Sequence, residues 1–343
     1  MAQLPSAAQS ALPPLAISLG DPAGVGPELV AAAWAARHDA GLPPFFAVHG
    51  AGLLADAAEQ RGLEIAIAPI SDPAETPAAF AHGLPVLVGG DGPYQPGGPD
   101  PDGAKLALGS LTLATQLALS GKASGLVTGP VAKARLAEVG FHHPGQTEFV
   151  AEACHVSAQD AVMMLAGPSL KTVPVTVHCA LADVPRLLSP DLVRRRSAIV
   201  ARGLVQDFGI ARPRLAICAL NPHAGECGKF GSEEAQIIEP AIAALREEGF
   251  DATGPHPADS LFSPHLRDTF DVAICMYHDQ ALIPLKALDF DQGVNMTLGL
   301  PIVRTSPDHG TAFAIAGTGA ANPGAMIAAI RMAGAAAAQR ARG

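Results

Sequence analysis

Short apolar runs alternate along the chain with longer stretches in which apolar positions recur three and four residues apart. Parallel strands covered on both faces read as continuous apolar runs, whereas helices keep a period, so the alternation predicts a mostly parallel sheet flanked by helices. Strand candidates are 15–19, 45–49, 64–67, 86–88, 125–128, 161–165, 172–177, 215–219 and 272–276. Helix candidates are 27–37, 51–60, 104–120, 190–208, 233–248 and 323–339. Residues ahead of Leu15 read as a loose lead-in, and the Gly-, Pro- and Asp-rich stretch 89–103 as a loop or hinge. In such folds the chemically useful residues sit in loops beyond the carboxyl ends of strands.

The 343 residues suffice for about two domains, and 49 % apolar against 16 % charged residues describes a packed chain rather than a disordered one. Gly 36 and Pro 31 make up nearly one residue in five, but they concentrate in strand-end loops between hydrophobic runs. A net charge of −10 argues against nucleic acid or an acidic membrane as partner and leaves room for a small anion held by local cations. Cys154, Cys179, Cys218, Cys227 and Cys275 are odd in number and form no CxxC pair, as expected of reduced thiols in a cytosolic enzyme. No basic residue precedes Arg37, so a secretory leader is not expected, and no charge-free apolar run approaches the ~18 residues of a membrane span. A soluble, cytoplasmic protein is the expectation.

Three histidines follow apolar runs directly: VPVTVH ends at His178, LAICALNPH at His223 and VAICMYH at His278. Imidazoles converging from separate strand ends suit a catalytic divalent-metal site with open positions, although each alone reads more readily as a buried or surface residue and only the repeated context brings the metal reading level with it. GDPAGVGPE (20–28) is either a strand-to-helix anion site or a tight turn, and matches neither GxGxxG nor a P-loop. TGPVAK (128–133) is another strand-end turn bearing a cation. Between Lys286 and Arg304 a strand-and-turn segment places two cations and the Asn295 amide, a plausible anion site. The stretch from His309 to Pro323 is too Gly-rich for a helix and reads as a loop around a flat ligand or a packing turn.

GDPAGVGPE, TGPVAK, GQTEF, LNPHAGE, YHDQ and GVNMTLGLPIVRTSPDHGTAF stand in the order found in the 4-hydroxythreonine-4-phosphate dehydrogenase family, which the chain resembles from Leu15 to its last helix. HGTAFAIAGTGAANP also resembles the cofactor loop of isocitrate and isopropylmalate dehydrogenases. The resemblance implies an α/β chain with two α/β/α domains of isocitrate/isopropylmalate dehydrogenase-like fold and an active site in the inter-domain cleft. Residues 1–140 plus 300–343 would form the cofactor side, and 141–299 the metal, substrate and dimerisation side.

It further implies a homodimer with active sites at the subunit interface, NAD or NADP as cofactor, and one divalent metal (zinc, magnesium, manganese or cobalt). His178, His223 and His278 would ligate the metal, with His278 reaching the partner's site. Gln146, Thr147, Lys286, Asn295 and Arg304 would bind a small phosphorylated substrate, and His309, Gly310 and Asn322 the cofactor. Asp279 is a candidate for a catalytic or a supporting role beside His278. The implied reaction oxidises 4-phosphohydroxy-L-threonine to a 3-keto acid that decarboxylates to 3-amino-2-oxopropyl phosphate, in pyridoxine 5'-phosphate biosynthesis.

Two positions depart from the family pattern: Gln146 stands where His is usual, and Ala314 where an acid is usual. They keep sibling activities in view, on 4-phosphothreonate or an aromatic cis-dihydrodiol, and a non-catalytic binding protein. Phosphate acyltransferases share the broad architecture but need neither the histidines nor the nicotinamide loop.

Overall fold

The computed structural model describes residues 12–343; most of the lead-in, and the start of the expected 1–140 body, lie outside them. Twelve strands are described: β1 (Leu15–Ser18), β2 (Phe45–Val48), β3 (Ile67–Ile70), β4 (Leu84–Leu87), β5 (Leu126–Thr128), β6 (Val162–Ala166), β7 (Lys171–Pro174), β8 (Arg214–Cys218), β9 (Asp251–His256), β10 (Val272–Cys275), β11 (Val294–Leu298) and β12 (Arg304–Pro307). They join in one sheet ordered β3-β4-β2-β1-β5-β12-β11-β6-β7-β10-β8-β9. Eight of the eleven pairings are parallel, as the apolar runs predict. The three antiparallel ones, β12 to β11, β11 to β6 and β6 to β7, lie together mid-sheet and turn its two parallel wings in opposite directions. No helix among the described residues is long and apolar enough to cross a membrane.

Helices form where local chemistry starts and stops them. The Pro190–Phe208 helix begins with the Ser189 hydroxyl accepting from Leu192 N and proline in its first turn, and ends at Gly209 with φ +68°. The Pro101–Leu119 helix is opened by Asp100, whose Oδ1 accepts from Gly103 N. Residues 26–34 of the Gly26–Ala35 helix are all buried, and Ile17, Leu29, Phe45 and Ile330 belong to the main hydrophobic core.

Three expectations are corrected. The strand expected at 64–67 lies at Ile67–Ile70. The helix expected at 233–248 opens as a wider π-type turn over Glu234–Ile238 before regular helix from Glu239. Lys286 is not in a strand-and-turn segment but on a helix, His278–Asp289, which encloses Pro284; only Asn295 and Arg304 lie on strands. Pro284 disguised this helix, since proline inside a helical pattern normally marks its end.

The loop at 20–28 is a packing junction. A Cβ on Gly20, where φ is +76°, would stand 2.7 Å from Pro130 O, and one on Gly24 would stand 2.8 Å from Thr311 O. Both glycines are therefore required by backbone crossing backbone, which supports the tight-turn reading.

Candidate functional site

A cleft of about 420 Å³ opens above the middle of the sheet. One wall is the His278–Asp289 helix, where His278, Leu282 and Lys286, each four residues apart, share the face lining the cleft. At ~1.5 Å per residue this stripe runs ~12 Å along it. Opposite, the Gln146–Ala153 helix brings Gln146 and Thr147, and the sheet floor supplies Asn295 and Arg304.

His178 and His278 share one end. Parallel pairing continues beyond the strands, with Val175 N donating to Cys275 O and Thr176 Oγ1 to Met276 O. Two loops thus leave the sheet side by side, and their histidine rings lie 6.1 Å apart between centroids. Asp279 Oδ1 sits 2.7 Å from His278 Nδ1, which orients the ring and leaves Nε2 free. Burial first, then the charges of Lys133 and His278, lower the His178 pKa, which favours the neutral imidazole a metal requires. Gln280, 8 % exposed, donates to Ala219 O and accepts from Met276 N, tying this end to the loop that carries His223.

His223 itself lies elsewhere. It is exposed, its ring is 6.2 Å from that of Phe230, and it does not line the cleft. Residues 223–227 all take left-handed backbone angles, and four of them are not glycine. Glu234 holds this turn from beneath, accepting from the backbone N–H groups of Leu220 and Asn221 at 2.9 and 2.8 Å and from Asn221 Nδ2 at 3.0 Å. Among the described residues no single-chain cluster of three His, Cys, Asp or Glu side chains could hold a metal.

Arg304 lines the cleft, is 3 % exposed and has no ion-pair partner. Its guanidinium donates to the hydroxyls of Thr128, Thr297 and Thr147 at 2.8, 3.0 and 3.3 Å, and its Nε is unpartnered. Burial depresses its pKa to about 10, so it remains charged at neutral pH. A buried cation that donates to hydroxyls and has no ion-pair partner, only the more distant Glu148 carboxylate favouring its charge, suits an anion. Gln146 Nε2 donates to Gly129 O, while Gln146 Oε1 and Asn295 Oδ1 are buried without partners, further polar groups unspent within the protein.

At the far end Lys286 pairs with Asp308 at 3.4 Å, and burial raises the Asp308 pKa. Lys286, Asp308 and His309 also line a second cavity of about 190 Å³, walled by Val25, Ala312 and Asn322. His309 Nε2 is buried and unpartnered, whereas Asn322 Oδ1 already accepts from Gly324 N. The 309–323 loop is fastened through Glu28, which is 1 % exposed and bonded to Arg61 at 2.8 Å; Arg61 donates to Ala321 O, and Glu28 accepts from Gly317 N.

The structure therefore brings Gln146, Thr147, His178, His278, Lys286, Asn295, Arg304, His309 and Gly310 to one cleft, with Asn322 in the adjoining cavity and His223 apart from both. Lys133, Arg196 and Asp308 line the cleft without having been singled out as site residues by sequence. Asp308 has a signal in SPDHG, between two motif residues, but Arg196 has none, since it lies in a run of three arginines that reads as a solvated helix face.

A profile of the pyridoxal phosphate biosynthetic protein PdxA matches residues 38–333. A 4-hydroxythreonine-4-phosphate dehydrogenase of Erythrobacter litoralis is 63 % identical over 328 residues, 96 % of this chain and 98 % of that protein. Among solved structures, 4-hydroxythreonine-4-phosphate dehydrogenase from Klebsiella pneumoniae superposes with a TM-score of 0.85 at 36 % identity, covering 96 % of this chain and 99 % of that one. A terephthalate 1,2-cis-dihydrodiol dehydrogenase from Burkholderia xenovorans is more distant, with a TM-score of 0.63 at 28 % identity, covering 93 % and 97 %. With a profile match spanning most of its length and such relatives, the chain belongs to the PdxA family of pyridoxal phosphate biosynthetic proteins.

Proposed function

We propose that the protein oxidises 4-phosphohydroxy-L-threonine with NAD or NADP, giving a 3-keto acid that loses carbon dioxide to form 3-amino-2-oxopropyl phosphate. The observation that carries this reading is what one cleft brings together: a histidine pair, a buried arginine with no ion-pair partner, and a Lys-Asp pair on the wall shared with a second cavity. A phosphorylated hydroxy acid has groups for the first two, and a nicotinamide loop the place for the third.

Arg304 and the hydroxyl of Thr147 bind the phosphate, helped by Asn295 and Gln146, whose amides contribute no charge. His178 and His278 are metal ligands of one chain, with His223 supplied by a second copy in a homodimer. This is the reverse of the assignment in which His278 crosses over, and it is supported by the 6.1 Å pairing of the other two rings. A divalent metal held there supplies Lewis-acid polarisation of the substrate's hydroxyl and carboxylate oxygens. Asp279 positions His278. The Lys286–Asp308 pair sits on the wall shared with the second cavity, where the His309–Asn322 loop would hold the dinucleotide that accepts hydride from the carbinol carbon, with His309 Nε2 as its free polar contact. In this reading the body of 141–299 carries the metal and, with Arg304 from the other body, the substrate, while 1–140 with 300–343 carries the cofactor.

The test is reduction of NAD or NADP by the purified protein with 4-phosphohydroxy-L-threonine and a divalent metal, beside 4-phosphothreonate and a cis-dihydrodiol. Turnover fastest with the first is expected; silence with it for both cofactors would sink the proposal.

Glu28 gives a separate prediction. Removing one partner of a buried ion pair leaves the other charge stranded, so Glu28→Gln should cost about 3 kcal/mol in urea unfolding. The loop it fastens should bind dinucleotide less well, with KM for the cofactor rising about fivefold or more and kcat changing little, as expected for lost uniform binding. An unchanged cofactor KM would separate Glu28 from that loop.

A further inference from the structure

The run Arg194-Arg195-Arg196 on the Pro190–Phe208 helix divides its charges unequally. Arg194 bridges Asp191 and Glu248, each at 2.7 Å, and Arg195 forks onto Asp160 at 2.7 and 2.6 Å. Arg196 belongs to no ion pair among the described residues. Its Nη1 donates to Val175 O at 2.9 Å, its Nε is buried without a partner, and it lines the cleft that holds His178 and Arg304.

Other charges on that wall are committed or grouped. Lys286 is paired with Asp308; Lys133, near Glu148 beside Gly145 but in no ion pair among the described residues, is a flexible ammonium rather than a planar fork. Two guanidiniums are left without a carboxylate, and they are anchored at different places. Arg304 is held by hydroxyls from β5, β11 and the Gln146–Ala153 helix, whereas Arg196 is held at Val175, three residues before His178. A substrate with one anionic group needs one of them; a phosphorylated hydroxy acid has a second anionic group to offer the other.

We propose that Arg196 is a specificity residue that recognises the substrate carboxylate at the His178 end of the cleft, while Arg304 takes the phosphate. This rests on the reading of the cleft as a site for a phosphorylated hydroxy acid. With Nη1 held on Val175 O and Nε enclosed, the guanidinium plane is pre-oriented and Nη2 is the group left to meet a carboxylate. Such a residue selects acids bearing both groups over phosphate alone.

The test is calorimetric titration of the full-length protein, with divalent metal present, using inorganic phosphate and 4-phosphoerythronate, which adds a carboxylate. Arg196→Gln keeps a donor for Val175 O but loses the charge. It should weaken 4-phosphoerythronate about tenfold or more while phosphate stays within about twofold, and Arg196→Lys should fall between it and wild type. Arg304→Met should weaken both probes. Equal loss of both probes in Arg196→Gln, or loss of neither, overturns the proposal, as does a wild-type protein that binds the two probes equally. Binding is read without turnover. A protein that passes this test yet reduces no nicotinamide would therefore refute the proposed reaction and leave the role of Arg196 standing.

Discussion

Arg304→Met should lower kcat/KM for the phosphorylated substrate about a thousandfold while leaving the unliganded fold at least as stable as wild type. The two effects have one cause. Arg304 is 3 % exposed, donates only to threonine hydroxyls and has no ion-pair partner, so the empty protein bears a desolvated charge that the Glu148 carboxylate offsets only from a distance. Methionine fills similar volume without that cost. The bound substrate, in contrast, loses a charge-assisted contact, and truncating a buried charged partner costs ~2–5 kcal/mol, which spans that factor. Arg304→Lys retains the charge but not the fork, and should recover only part of the loss.

The pH dependence follows from a folded pKa of about 10, below the ordinary value of 12.5. Between those values the folded protein binds fewer protons than the unfolded chain, so the contribution of Arg304 to stability rises with pH while phosphate binding falls. Urea unfolding and phosphate titration between pH 9 and 11 measure the two trends; a parallel fall would contradict this account of Arg304.

His178→Ala and His278→Ala should each weaken metal binding by more than about a hundredfold, the upper end of what losing a supporting contact costs. His223→Ala should do so too, but mixed subunits separate it from the pair. If His178 and His278 serve one site together and His223 crosses from the partner, unfolding and refolding His178→Ala with His223→Ala rebuilds one intact site in each mixed dimer. Random pairing then restores about a quarter of wild-type activity. His178→Ala mixed with His278→Ala restores none. The opposite outcome, rescue only in the second mixture, would return His278 to the partner's site.

The mostly parallel sheet was legible because strands covered on both faces keep uninterrupted apolar runs, as in LAIS, FFAV and VAIC. β11 and β12 escaped because Asn295, Thr297, Arg304 and Ser306 break the runs, and they do so because that face is the floor of the cleft. Function interrupts the pattern from which structure is read. The helix of His278 and Lys286 was hidden by Pro284, and the separation of His223 depends on a left-handed turn of four non-glycine residues that no local preference would suggest. Motif residues in GQTEF, YHDQ and SPDHG were visible as chemistry. Their sharing of one cleft needed the tertiary fold, and so did the isolation of Arg196, since three adjacent arginines look alike until their partners are placed.

The central claim is that one cleft couples oxidation to decarboxylation. Its most direct test follows reduced nicotinamide by absorbance and carbon dioxide by capture in the same reaction, from 4-phosphohydroxy-L-threonine labelled in its carboxyl carbon, with and without a chelator. Both products should appear in equal amounts, and chelation should stop both. Reduced nicotinamide formed without carbon dioxide, or turnover indifferent to chelation, would contradict the claim.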